Sequence, residues 1–209
     1  MSGSGRQRNP RGRGERLRTE IIDAASAILA ESADPGQLTL RSVARRVGIA
    51  ATSVYLQFAS VEELTSAVAE RHFVELGRGI RRASESIDDP ALGLVAGCKA
   101  YCRWAVRHAG HYRILFETDR ADLGPTTSYS LEQSAGEPVL RGLVQQIQRC
   151  QAAGTASPNG DPTLLAILVW TALHGIVSLR LRRPRFPWPP LDQTVEAAVR
   201  RLVCLEPRG

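Results

Sequence analysis

The segment Leu40-Arg-Ser-Val-Ala-Arg-Arg-Val-Gly-Ile-Ala-Ala-Thr-Ser-Val-Tyr-Leu-Gln-Phe58 dictates two short helices and the hinge between them. Leu40, Val43, Ala44 and Val47 recur at i, i+3, i+4 and i+7, one apolar stripe of a short helix, with Arg41, Arg45 and Arg46 on the other side. Gly48 can end that helix, because glycine enters the left-handed conformation without a Cβ clash. Ile49 then turns into the core, and Val54 and Phe58, four apart, bury one face of a second helix. Its other residues, Thr52, Ser53, Tyr55, Leu56 and Gln57, must point outward. Hydroxyls, a phenol and an amide on one exposed face suit phosphate oxygens and base edges in a major groove.

Charge supports a polyanionic partner. The 209 residues carry a formal net charge of +6, and Arg6, Arg8, Arg11, Arg13, Arg16 and Arg18 crowd the first eighteen, opposed there only by Glu15. Gly3, Gly5, Gly12 and Gly14 predict a disordered arm over residues 1–14. Such an arm either follows a phosphate backbone or enters a minor groove, or is a solubilising tail. Lys99 is the only lysine, so arginine is also a chain-wide preference. No charged-then-apolar signal segment opens the sequence, which predicts a cytoplasmic location.

The four cysteines fit that compartment as buried reduced thiols. Cys98 and Cys102, one helical turn apart, leave a redox pair open. No metal-ligand spacing, phosphate-binding glycine loop or Gly-x-Ser-x-Gly elbow occurs, so neither a metal, nor a cofactor, nor catalysis is expected. An enzyme using a cysteine, or His108 and His111, and an architectural protein binding DNA through the arm alone are the competing readings.

Helical periodicity runs through the rest of the chain, which predicts an all-α fold. A first helix spans about Glu15 to Glu31, with Leu17, Ile21, Ala24, Ala25 and Ile28 inward, and Asp34-Pro35-Gly36 breaks it. Thr39 is placed to cap the next helix, and Ser60-Val61-Glu62-Glu63 has the form of a capping box opening a long helix to about Arg82. Leu92, Val95, Cys98, Cys102 and Val106 carry a helix to a break at His108, and a short one follows over Tyr112 to Phe116. Residues 118–136 read as a loop. Helices are then expected over Pro138 to about Ala153, from Pro162 after an Asp161 cap, and over Leu191 to about Leu205.

Thr163 to Leu181 is long and uncharged enough to raise a membrane span, but His174, Thr171, Gly175 and Ser178 interrupt its surface. A helix buried on most sides fits better. With the last helix it forms an antiparallel pair whose Leu165, Leu168, Val169 and Ala172, and Val195, Ala198, Val199 and Leu202, supply half of a four-helix homodimer interface.

The residues Thr39-Leu-x-x-Val-Ala-x-x-Val-Gly-Ile49, Ser53-Val-Tyr-x-x-Phe58 and Glu62-Glu-Leu64 resemble the DNA-binding domain of the TetR (tetracycline repressor-like) family of transcriptional regulators. Tyr101-x-x-Trp104 through Tyr112-Arg-Ile-Leu-Phe116, with Trp170-x-x-x-His174-Gly175, resembles the subgroup named for a Trp-His-Gly element. The resemblance implies three amino-terminal helices reading DNA (residues 15–61), then a helical ligand-binding and dimerising domain (residues 62–209). By position it implies DNA contacts from Thr39, Thr52, Ser53, Tyr55 and Gln57, with Tyr55 on a phosphate; Ala51, Arg41, Arg13 and Arg16 complete the expected DNA-binding set. Two residues depart from the family pattern: Ala50 stands where a serine commonly caps the recognition helix, and Val61 where a lysine commonly meets phosphate.

A small, largely apolar effector is the further partner the resemblance implies, alongside palindromic double-stranded DNA. Tyr101, Trp104, Tyr112 and Phe116, clustered within a sixteen-residue stretch, with His108, Trp170 and His174, are the ligand candidates. Aromatic residues at helical spacing serve equally as plain core, and His174 before Gly175 as a core or interface histidine.

Overall fold

The computed structural model describes residues 11–31, 37–116 and 136–205, and of residues 11–13 the backbone alone. All regular structure among them is helical: α1 Arg11–Glu31, α2 Leu40–Val47, α3 Ala51–Tyr55, α4 Val61–Glu85, α5 Pro90–Arg107, α6 Ala109–Phe116, α7 Glu137–Ala152, α8 Pro162–Arg182 and α9 Leu191–Leu202. The described residues form two compact units that divide between Ala69 and Glu70, inside α4.

In the first unit α2 packs on α1 and α3 on α2. Its core is Ile21, Ala25, Leu38, Leu40, Val43, Ala44, Val54, Phe58, Leu64 and Val68, all buried. The apolar stripe of α1 uses Leu29 where Ile28 was expected, since Ile28 stays half-buried. α1 also starts earlier than expected, at Arg11, so Arg13 belongs to a helix rather than to a flexible arm. Arginine is a good helix former, and Arg11, Arg13 and Arg16 favour the earlier start. Arg6 and Arg8 lie outside the described residues, as does nearly all of the expected loop over 118–136.

The second unit is built on α5, which meets α6, α7, α8 and α9; α8 also packs along α7 and α9. Asp89 caps α5 by accepting hydrogen bonds from the backbone N–H groups of Ala91 and Leu92, at 2.8 and 3.2 Å, and Asp161 caps α8 through Thr163 at 2.9 Å. Leu92 and Val106, expected inward on α5, are 42% and 38% exposed. The buried stripe instead runs Ala91, Leu94, Val95, Cys98, Tyr101, Cys102 and Ala105, because the true helix face is shifted by part of a turn. Lys99 and Arg103 on the neighbouring face reach Glu196 (2.7 Å) and Asp192 on α9, clamping α5 to the carboxy-terminal helix.

By length and composition, α8 is the one described helix able to cross a membrane, yet Ala166, Val169, Leu173 and Val177 along it are buried in the helical unit. Cys98, Cys102 and Cys150 are buried, and burial pushes their thiols upward, to about 12 for Cys98 and about 11 for Cys150. Thiols held neutral are poor nucleophiles, which argues against a redox pair. Cys204, expected to be buried, is exposed just past the end of α9.

Candidate nucleic-acid interface and aromatic cluster

The outer surface of α2 and α3 follows from three local devices. Thr39 precedes α2 in extended backbone, its Oγ1 accepting from the Ser42 N–H at 2.9 Å while the Ser42 hydroxyl oxygen accepts from the Thr39 N–H at 2.9 Å. This is a capping box with serine in place of the usual glutamate. Gly48 closes α2 at φ 77°, with its N–H donating to the Ala44 carbonyl at 2.9 Å. Val54 and Phe58 are fully buried, which rotates the rest of α3 outward.

Thr52 and Tyr55 are exposed as expected, and Ala51, Ser53 and Gln57 are half-buried. Tyr55 is 52% exposed. Ala50 gives α3 no side-chain cap. Of the arginines, Arg41 and Arg45 are exposed, whereas Arg46 is turned into a two-point ion pair with Glu31 at 2.7 Å that ties α2 to the end of α1 and holds the Glu31 carboxyl below its usual range. Arg16 pairs with Glu20 along α1 at 3.0 Å. Arg18 lies 4.3 Å from the Phe58 ring centre, a cation–π contact that serves the unit's interior.

The aromatic candidates separate into two groups. His174 on α8 sits between two phenols, with Nε2 3.1 Å from the Tyr101 hydroxyl and Nδ1 2.8 Å from that of Tyr112. Phe116 meets the imidazole edge-on at 4.5 Å and Trp170 at 5.0 Å. Burial pushes His174 down to about 4 and Tyr101 well above its ordinary value, so the cluster is uncharged near neutrality. Phe73 of α4 joins it through Phe116, at 5.5 Å, a residue the sequence reading missed.

Trp104 and His108 belong to a separate row. Trp104 lies 5.4 Å from His108, His108 5.6 Å from His111, and His111 stacks on His72 of α4 at 4.0 Å. His72 is buried, with Glu75 at 3.6 Å, and burial together with the neighbouring His111 and Arg71 lowers it to about 4. The signal for His72 was present: it continues the Leu64, Val68, Leu76 stripe at steps of four.

The interface candidates divide by exposure. Val169, Val195 and Val199 are fully buried within the chain and serve its own core, so they are not available to a partner subunit. Leu165, Ala172, Ala198 and Leu202 are half-buried. Leu168 is 43% exposed, in line with Leu164, Ile167 and Leu179, which the sequence reading passed over because α8 is apolar on every side.

Residues 94–203, more than half of the chain, match the family model described as the tetracyclin repressor-like, C-terminal domain. The chain is 30% identical over 118 residues to the HTH-type transcriptional activator FasR of Mycolicibacterium smegmatis, covering 56% of this chain and 53% of that one. It spans about half the length of the curated relatives it matches. A Rhodococcus sp. RHA1 protein of unknown function shares the fold over 97% of this chain and 98% of its own, with TM-score 0.75 and 23% identity. The transcriptional regulator FadR from Bacillus subtilis, solved in complex with stearoyl-CoA, does so over 88% and 97%, with TM-score 0.71 and 15% identity.

Proposed function

The chain belongs to the tetracycline repressor-like (TetR) family, and on that premise we propose that it is a ligand-responsive transcriptional regulator: a cytoplasmic homodimeric repressor released from a palindromic operator by a small, largely apolar molecule. The observation that carries this reading is the outer face of α3, where Thr52 and Tyr55 stand exposed while Val54 and Phe58 are fully buried. A short helix that turns a hydroxyl and a phenol to solvent, after a capped and glycine-terminated α2, is built to enter a major groove and to touch phosphates. Thr39 and Arg41 at the start of α2, with Arg13 and Arg16 of α1, add phosphate contacts, and Tyr55 holds one of its own.

The uncharged cluster of Tyr101, Tyr112, Phe116, Trp170 and His174 supports an apolar effector with one polar group for the phenols or imidazole to meet. FadR, whose complex holds stearoyl-CoA, is consistent with an effector carrying a long apolar portion. Trp104 and His108 stand in the neighbouring imidazole row. The exposed stripe of α8, Leu164, Ile167, Leu168 and Leu179, with Ala198 and Leu202 of α9, supplies the apolar surface for a two-fold interface.

A dimer holds two recognition helices about 34–36 Å apart for successive major grooves. An effector that favours another spacing by ~1–3 kcal/mol, with α4 carrying the change, lowers operator affinity about five- to 150-fold. Activation is the second reading, favoured by the activator among the relatives.

The deciding experiment is binding of the purified chain to DNA from its own upstream region, with unrelated DNA as competitor at fixed, near-physiological salt. A preference of about a thousandfold that collapses in Tyr55→Ala is expected. Equal affinity for native promoter and random DNA would overturn the regulator reading and leave the architectural one. A reporter that loses expression when the gene is deleted would replace repression by activation.

A further inference from the structure

One side chain on the outer face of α3 has no use in a phosphate or hydrogen-bonding scheme. Leu56 is 84% exposed, against 56% for Phe186 and 52% for Tyr55, and no other large apolar residue among those described is as exposed. Its position is fixed. The backbone remains helical at φ −74° and ψ −18°, and its N–H donates to the Thr52 carbonyl at 3.1 Å. Thr52 and Leu56, four apart, therefore share a face, with Tyr55 beside them and the buried Val54 and Phe58 on the other side.

We propose that Leu56 is a specificity-determining residue that reads the C5-methyl group of a thymine in the major groove. The inference rests on the proposed function and goes one step beyond it, from a DNA-facing helix to one base it prefers. Leucine offers neither donor nor acceptor, so phosphate oxygens and the amino and carbonyl edges of bases gain nothing from it, and burying it against them costs their solvation. Among the major-groove edges only thymine presents an apolar group, and contact with that methyl is the one favourable outcome for an apolar tip. A protein partner would need an interface far larger than one leucine can anchor, on a face that bound DNA would occupy.

The test starts from an operator selected out of a random duplex library by the full-length wild-type chain. Each thymine is then replaced singly by deoxyuridine, which keeps base pairing and deletes only the methyl, and affinities are measured at fixed salt for wild type and Leu56→Ala. The expected result is one thymine per half-site at which deoxyuridine weakens wild-type binding about three- to tenfold, while Leu56→Ala binds both duplexes alike. An exposed side chain can be truncated without loss of fold, which an unchanged circular dichroism spectrum checks. Specific binding with no deoxyuridine effect, or with the same effect in both proteins, overturns the Leu56 inference and leaves the regulator reading standing. If no sequence is enriched from the library, the regulator reading falls and this inference with it.

Discussion

The Nδ1 of His174 on α8 lies 2.8 Å from the Tyr112 hydroxyl on α6, and the other ring nitrogen lies 3.1 Å from the Tyr101 hydroxyl on α5. A neutral imidazole has one N–H and one lone pair, so it donates to one phenol and accepts from the other. Three helices are thus joined by one uncharged ring. The same ring is the polar centre of the cluster proposed above to meet an effector, and an effector bound there would draw on the hydrogen bonds that join α5, α6 and α8.

Tyr112→Phe removes the phenol oxygen and leaves Nδ1 of the half-buried His174 without that partner. A buried polar atom deprived of its bond costs about 1–3 kcal/mol, so the urea midpoint should fall by the corresponding amount with an unchanged m value. A midpoint equal to wild type would mean that water reaches the ring and that the cluster is not a closed polar centre.

Acid should destabilise the fold before carboxylates protonate. His72 and His174 are lowered by burial from 6.5 to about 4, and His111 is lowered as well. Between pH 6.5 and 4 the unfolded chain takes up protons that the folded chain refuses, so stability is full above pH 6.5 and falls as the pH drops through that window. Both lowered imidazoles add to the loss, His174 by less than its shift implies because it is only half-buried and solvent screens its charged form. Urea midpoints at pH 7.5, 6, 5 and 4.5 should decline in order, and His72→Gln should flatten the decline. A midpoint that stays level to pH 5 would sink this account.

Much of the first unit was legible in the sequence because its signals are local. Thr39 as cap, Gly48 as left-handed terminator, and Val54 with Phe58 as the inward pair follow from backbone chemistry within a few residues, and the structure has each of them. The second unit depends on which helix lies against which, and periodicity does not encode that. In α8 apolar residues occupy every face, so Val169 (inward) and Leu168 (outward) carry the same sequence signal. Likewise Trp104 and Tyr101, one turn apart on α5, read as one aromatic cluster, yet Trp104 faces His108 and Tyr101 faces His174.

Two glycines in long helices should respond to alanine in opposite directions. A Cβ on Gly93 of α5 would stand 2.9 Å from the Ser84 carbonyl oxygen of α4, backbone that has no rotamer to escape into, whereas a Cβ on Gly79 of α4 meets nothing within 4 Å. Gly79→Ala should therefore stabilise by about 0.5–1 kcal/mol through helix propensity. Gly93→Ala should destabilise by about 1–3 kcal/mol as α4 and α5 are forced apart. Thermal melts of the two variants decide the matter, and a rise in Tm for Gly93→Ala would show that the contact between the helices is looser than 2.9 Å implies.

Adjacent residues of α8 provide the test of the interface. Leu168 is 43% exposed and stands with Leu164, Ile167 and Leu179 on the outward stripe, while Val169 is fully buried among the helices of its own chain. Leu168→Glu places a charge on the outward stripe. If that stripe is the two-fold contact, two glutamates face a desolvated apolar seam, and the dimer should dissociate by at least about tenfold with helicity unchanged. Val169→Glu buries a carboxylate inside each protomer and should cost about 3 kcal/mol or more of folding free energy, seen as loss of helical signal rather than as a clean monomer. Sedimentation velocity over a concentration series, paired with circular dichroism, separates the two. A Leu168→Glu protein that sediments as a dimer at every concentration would move the subunit contact away from this face of α8.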